Sequence, residues 1–117
     1  IIYQISSRGK FENTYVSEAE ILVSTDRSLN VRRQYNCKKA DWNELNELIE
    51  AVDLETIHNL NAPTDKRLSD GAAHATLAIQ ISDVEYMSPT FDHGFPPKEI
   101  EALVNKVLTI KENAVKH

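Results

Sequence analysis

Cysteine is almost missing from this chain. Cys37 stands alone among 117 residues, so no intrachain disulfide forms and a cysteine-based zinc site would need a partner chain. Glycine and proline are scarce as well, three and four residues respectively, which confines the strongest turn signals to a few places. No apolar run exceeds a few residues, so no segment spans a bilayer and no secretory hydrophobic region lies within the chain. An excess of positive charge is also lacking. Thirteen basic residues face 18 acidic ones, giving a net charge of −5, and the long basic footprint that binds duplex phosphates is absent. Nucleic acid is therefore not an expected partner. The chain carries no P-loop, G-x-G-x-x-G, C-x-x-C, H-E-x-x-H or N-x-S/T sequence, so nucleotide and dinucleotide binding have no motif to stand on.

The length suits a single domain, residues 1–117, large enough to bury one core without disulfide or metal. Its first 37 residues alternate apolar and polar side chains between short turns, which predicts a four-stranded antiparallel start. Ile1, Tyr3 and Ile5 share one face, and Arg8-Gly9-Lys10 turns the chain. Phe11 to Val16 follows, Ser17 to Ala19 turns, Ile21 and Val23 return, and Asp26 to Asn30 turns again. Val31, Arg33 and Tyr35 make the fourth strand.

The period then becomes helical. Trp42, Leu45, Ile49 and Val52, with Leu48 beside them, form one apolar stripe, and Trp42 reads as a core residue at its start. Cys37 stands where a Ser or Thr N-cap would precede this helix, so Cys37→Ser is expected to stabilise it slightly. Leu54 to Leu60 adds a short helical turn before the break at Asn61-Ala62-Pro63. Residues 73–82 alternate as a half-buried strand, Ser82-Asp83 turns, and Val84 and Tyr86 return. Pro96-Pro97 opens a last helix with Ile100, Leu103, Val104, Val107 and Leu108 on its apolar face. The order β-β-β-β-α-β-β-α predicts an α+β fold: an antiparallel sheet of about six strands with two helices packed on one face.

Chemistry has one candidate location. A two-residue turn at Ser82-Asp83 pairs Ile81 with Val84, Ile79 with Tyr86, Leu77 with Ser88 and Ala73 with Asp92, and sets His74 opposite Phe91. This register gathers Asp70, His74, Asp92 and His93 at one end of the sheet, with Phe91 and Phe95 bracketing the last two. Three readings compete there. Asp70-Gly71 and Asp92-His93-Gly94 serve as turn chemistry, with aspartates accepting backbone N–H groups. Alternatively, the histidines and aspartates bind a divalent metal. In the third reading a His–Asp pair does acid–base work, as in a small hydrolase, while Lys66 or Arg67 holds an anion. The first is preferred, because no metal-motif spacing is present and no nucleophile elbow surrounds Ser88 or Thr90. Asp92 and His93, being adjacent, also point to opposite faces of a strand. No catalytic residue, metal ligand or cofactor is assigned, and Asp70, His74, Phe91, Asp92, His93 and Phe95 stand as candidate binding residues.

Arg27, Arg32, Arg33, Lys38 and Lys39 cluster ahead of an acidic helix and read as a solvated strand edge in preference to an anion-binding patch. His58 reads as a surface residue between elements, and His117 is assigned no role.

The run Trp42, Leu45, Ile49, Asp53-Leu54, Leu60, Ala62-Pro63-Thr64, Arg67, Asp70-Gly71-Ala72, Leu77, Ile79, Tyr86, Ser88, Phe91-Asp92-His93-Gly94 and Pro96-Pro97 resembles a set of small bacterial envelope proteins of unknown function. The resemblance covers residues 40–108 well and the strand meander only loosely. It implies a secreted or lipid-anchored protein, periplasmic or extracellular, with a signal peptide ahead of the domain, and it carries no catalytic residue over. Ile1 opens the sequence and Met87 is its only methionine, so the sequence does not begin at a translation start. The expectation is a non-enzymatic envelope domain that binds a protein or small-molecule partner; the alternative is a small hydrolase or metal-dependent enzyme centred on His74, Asp92 and His93.

Overall fold

Alternation of side chains sets the frame of the molecule, whose computed structural model describes residues 1–68 and 72–116. Four strands run in sequence, β1 (Ile2–Ser7), β2 (Lys10–Val16), β3 (Glu20–Ser24) and β4 (Arg33–Asn36). Helix α1 (Lys39–Glu50) follows, then the hairpin of β5 (His74–Ile81) and β6 (Val84–Met87), the two-residue β7 (Phe91–Asp92), and α2 (Glu101–Lys116). All strand pairs are antiparallel, in the order β4-β3-β2-β1-β5-β6, with β7 also pairing with β5. The expected α+β architecture is present.

On the helix-facing side of the sheet every second position of β1 as far as Ile5, of β3 and of β5 is apolar, while β2 places Thr14 opposite Tyr3 and Glu12 opposite Ile5. Ile1, Tyr3 and Ile5 lie beside Val16, Ile21 and Val23 on one flank and Ala75, Leu77 and Ile79 on the other, all buried in one core with Leu45, Ile57, Leu103, Val104 and Val107. Each fully buried Leu, Ile, Val or Phe in such a core contributes about 1.5–3 kcal/mol. Helix α1 buries only Leu45 completely; Trp42, Leu48, Ile49 and Val52 pack against the core half-buried. Lys106 joins the helices, its ammonium 2.6 Å from Glu44 and 3.4 Å from Asp41.

Several expectations need correction. Val31 belongs to no strand: it is 70% exposed, and its carbonyl accepts from the Ser24 hydroxyl. The turn before it is an Asx arrangement in which the Asp26 carboxylate accepts from the Ser28 and Asn30 amides, leaving Leu29 at φ 60°. The residue capping α1 is Lys38, which offers no side-chain acceptor. Cys37 lies one residue earlier, buried in the core, so replacing its thiol by a hydroxyl removes packing and caps nothing. Burial, with Asp41 adding to it, raises that thiol above its ordinary range.

The hairpin keeps the expected register at its turn, Ile81 opposite Val84 and Ile79 opposite Tyr86. Farther along, the register slips by one. His74 pairs with Asp92 and Ala75 with Phe91, whereas Ser88 still bonds to Leu77. Pro89 and Thr90 therefore both stand opposite Thr76, a bulge of one extra residue. Proline explains its position, because it has no N–H for the ladder. Ser88 maintains the pairing there: its hydroxyl accepts the Leu77 amide at 3.0 Å and donates to the Pro89 carbonyl.

Candidate functional site

The bulge decides which corner residues meet, because a one-residue shift exchanges the faces of a strand. Phe91 turns into the core beside Ala75 and becomes fully buried, its ring centroid 6.2 Å from that of Tyr3. It presents no surface. Asp92 turns to the opposite face, across from His74, and His93 returns to the core side, where its Nδ1 lies 3.0 Å from the Tyr3 hydroxyl. The two histidines thus sit on opposite faces of the sheet. His74 remains half-buried.

Asp92 is only 2% exposed, and its carboxylate is occupied. The Lys66 amide donates to Oδ2 at 2.7 Å, the Arg67 amide donates to Oδ1 at 2.7 Å, and the Thr64 hydroxyl donates to Oδ2. The Arg67 guanidinium adds an ion pair at 3.5 Å. The Lys66 and Arg67 donors belong to the single-turn 3-10 helix Lys66–Leu68 and Thr64 lies two residues ahead of it, so Asp92 caps a turn more than twenty residues away in sequence. Burial alone would raise this carboxyl; the bonds from Thr64, Arg67 and Lys66 outweigh it and hold the group below the usual carboxylate range. The expected role as an acceptor of backbone N–H groups is present, but the acceptance is long-range and not local. Its own turn closes through Phe95 N–H to the Asp92 carbonyl, with Gly94 at φ 94°, the conformation that the third position of a type II turn reserves for glycine.

The acid–base reading gave Lys66 or Arg67 an anionic ligand to hold; the anion to which both amides and the Arg67 guanidinium are committed is Asp92. The Lys66 side chain then lies over Phe95, its ammonium 4.1 Å from the ring centroid. Phe95 is 43% exposed, and Leu68 projects into solvent close by in sequence. Asp70 lies outside the described residues. Of the six candidates, His74 and Asp92 share one face, Phe91 and His93 share the other, and Phe95 faces solvent.

Sequence reasoning missed Thr64 and Tyr3. The available signal for Tyr3 was a phenol at an inward-facing position, since a buried hydroxyl requires a partner. Burial pushes the Tyr3 hydroxyl well above its ordinary range. Burial also lowers the His93 imidazole; Lys10 and Lys111 act in the same direction and Glu12 against it. Nearby, Lys111 reaches from α2 to Glu12 at 2.8 Å.

Chemically, the corner is a clasp. A general base needs a free lone pair aimed at a reacting proton, and the Asp92 carboxylate already faces its structural donors. Among the described residues, no group of three or more His, Cys, Asp or Glu side chains is placed to hold a metal ion, and no helix is long and apolar enough to cross a membrane. Comparison with known proteins finds no matching family model, no matching curated protein and no matching solved structure.

Proposed function

We propose that this chain is a non-enzymatic binding domain of a bacterial cell envelope, secreted or lipid-anchored, that engages a protein or small-molecule partner beside the Asp92 clasp. The observation that carries the reading is the contrast between Asp92, buried with its carboxylate occupied, and Phe95, 43% exposed under a lysine ammonium. An aromatic ring held by a cation at the rim of a rigid turn is the kind of group on which binding energy concentrates. The clasp fixes the position of Lys66 relative to Phe95, because the Lys66 amide is itself bonded to Asp92. In this reading Asp92 is a support, and Phe95 with Lys66 makes the contact. The envelope location rests on the sequence resemblance alone.

The hydrolase and metal alternatives draw no support from this geometry, since His74 and His93 are separated by the sheet. Site-specific photo-crosslinking in the native cell tests the binding reading, with the crosslinker placed at position 95 and, as a control, at the exposed position 58. A discrete adduct from position 95 that disappears with Lys66→Glu is expected. Equal labelling from both positions, or hydrolytic turnover that His93→Gln abolishes, would contradict it. Cell fractionation that finds the protein in the cytoplasm would remove the location.

A further inference from the structure

A groove lies on the β4 side of the sheet, and neither Phe95 nor Lys66 lines it. Val23 and Tyr35 from β3 and β4 form its floor, the last turns of α2 form one wall, and Thr25 and Val31 from the β3–β4 loop form the other. Its volume of about 430 Å³ is within the range of small-molecule sites. Two valines from separate elements, Val31 at 70% and Val115 at 47% exposure, turn toward this space. Both leave apolar surface in water that an occupant would cover.

The charges around the groove are not evenly matched. Lys111 and Glu12 neutralise each other at 2.8 Å. Of the lining groups that remain, Arg33 and Lys116 are cationic and Glu112 is anionic, one positive charge in excess within a chain of net charge −5. Arg27 and Arg32, the other arginines of the basic cluster, are occupied: Arg27 bonds to the Ser6 hydroxyl and the Ser7 carbonyl, and Arg32 to the Leu29 carbonyl. Arg33 has no hydrogen bond or ion pair among the described residues. The same bonds from Arg27, together with the Asp26 turn, hold the loop wall in place, so little ordering is left for binding to cost.

We propose that this groove binds an amphipathic monocarboxylate of the medium-chain fatty-acid class, its apolar chain between Val31, Tyr35 and Val115 and its carboxylate on Arg33. A guanidinium matches a carboxylate with two parallel hydrogen bonds. A dianion such as a phosphate monoester would leave one charge uncompensated beside Glu112. The basic cluster is thereby reassigned in part, with Arg33 as its one ligand-directed member.

Amide chemical shifts of the intact chain, followed during titration with sodium decanoate below its aggregation threshold, test this. Saturable shifts at Val23, Val31, Tyr35 and Val115, with Phe95 unmoved, are expected. Decanol and the Arg33→Gln variant should each bind about tenfold more weakly, the loss of one charge-assisted contact. Val115→Asp, on an exposed turn that leaves the core intact, should abolish the shifts. Absence of saturation with decanoate, equal affinity for decanol, or unchanged affinity in Arg33→Gln would each overturn the assignment.

Discussion

Single side chains carry the most consequential bonds in this protein, and Ser88 is the clearest case. Its hydroxyl takes the Leu77 amide in place of a ladder carbonyl, so Ser88→Ala buries an unpaired N–H beside the core. A loss of about 1–3 kcal/mol is expected, seen in urea denaturation as a lower midpoint with unchanged slope. His93 supplies a pH dependence. Its imidazole is harder to protonate in the fold than in the unfolded chain, where it titrates near about 6.5. The unfolded state therefore binds more protons just below that pH, and by linkage stability falls as pH drops. The contribution is complete above about pH 6.5, declines below it, and levels off under the folded value. The stability difference between wild type and His93→Gln, measured from pH 8 to pH 5, should shrink on acidification through that window. Asp92 acts lower: its contribution is complete above about pH 3.9 and is lost as pH falls through its depressed folded value.

Among the elements, α1 begins with an unfilled position. Lys38 already has the extended backbone of an N-cap, φ −70° and ψ 141°, but bonds to no amide through its side chain. Lys38→Ser should therefore raise stability by about 0.5–1 kcal/mol, helped by removing a cation from the positive end of the helix dipole; thermal unfolding of the variant checks this. What was legible in the sequence is the set of elements and their faces, because burial imposes a period that side chains reveal directly. Ile1, Tyr3 and Ile5, the stripe of Leu103, Val104 and Val107, and the turn at Ser82-Asp83 all read correctly. The extra residue at Pro89-Thr90 did not, since a bulge preserves the apolar pattern on each side of itself while reversing it across the break. That reversal exchanged the expected faces of Phe91 and Asp92. Val31 was read as a strand residue because alternation alone does not reveal that the Asp26 turn extends past it.

At the scale of the whole molecule, the pairing of β1 with β5 brings the N-terminal meander against the hairpin and places Tyr3 under His93. The bulge, the clasp and the turn at Gly94 then fix one end of the sheet. The approximate location of the candidate site was readable from two polar corners in one hairpin, but its chemistry was not. The donors to Asp92 come from Thr64, Lys66 and Arg67, and bonds from a side chain to distant backbone leave no periodic trace in sequence. The central claim is that Asp92 is consumed in holding this structure together and is not kept free for catalysis. Amide hydrogen exchange at Lys66 and Arg67, measured by NMR in wild type and in Asp92→Ala, tests it most directly. Both amides should be protected in wild type and exchange freely in the variant while Leu77 and Ile79 stay protected; unprotected Lys66 and Arg67 amides in the wild-type protein would contradict the claim.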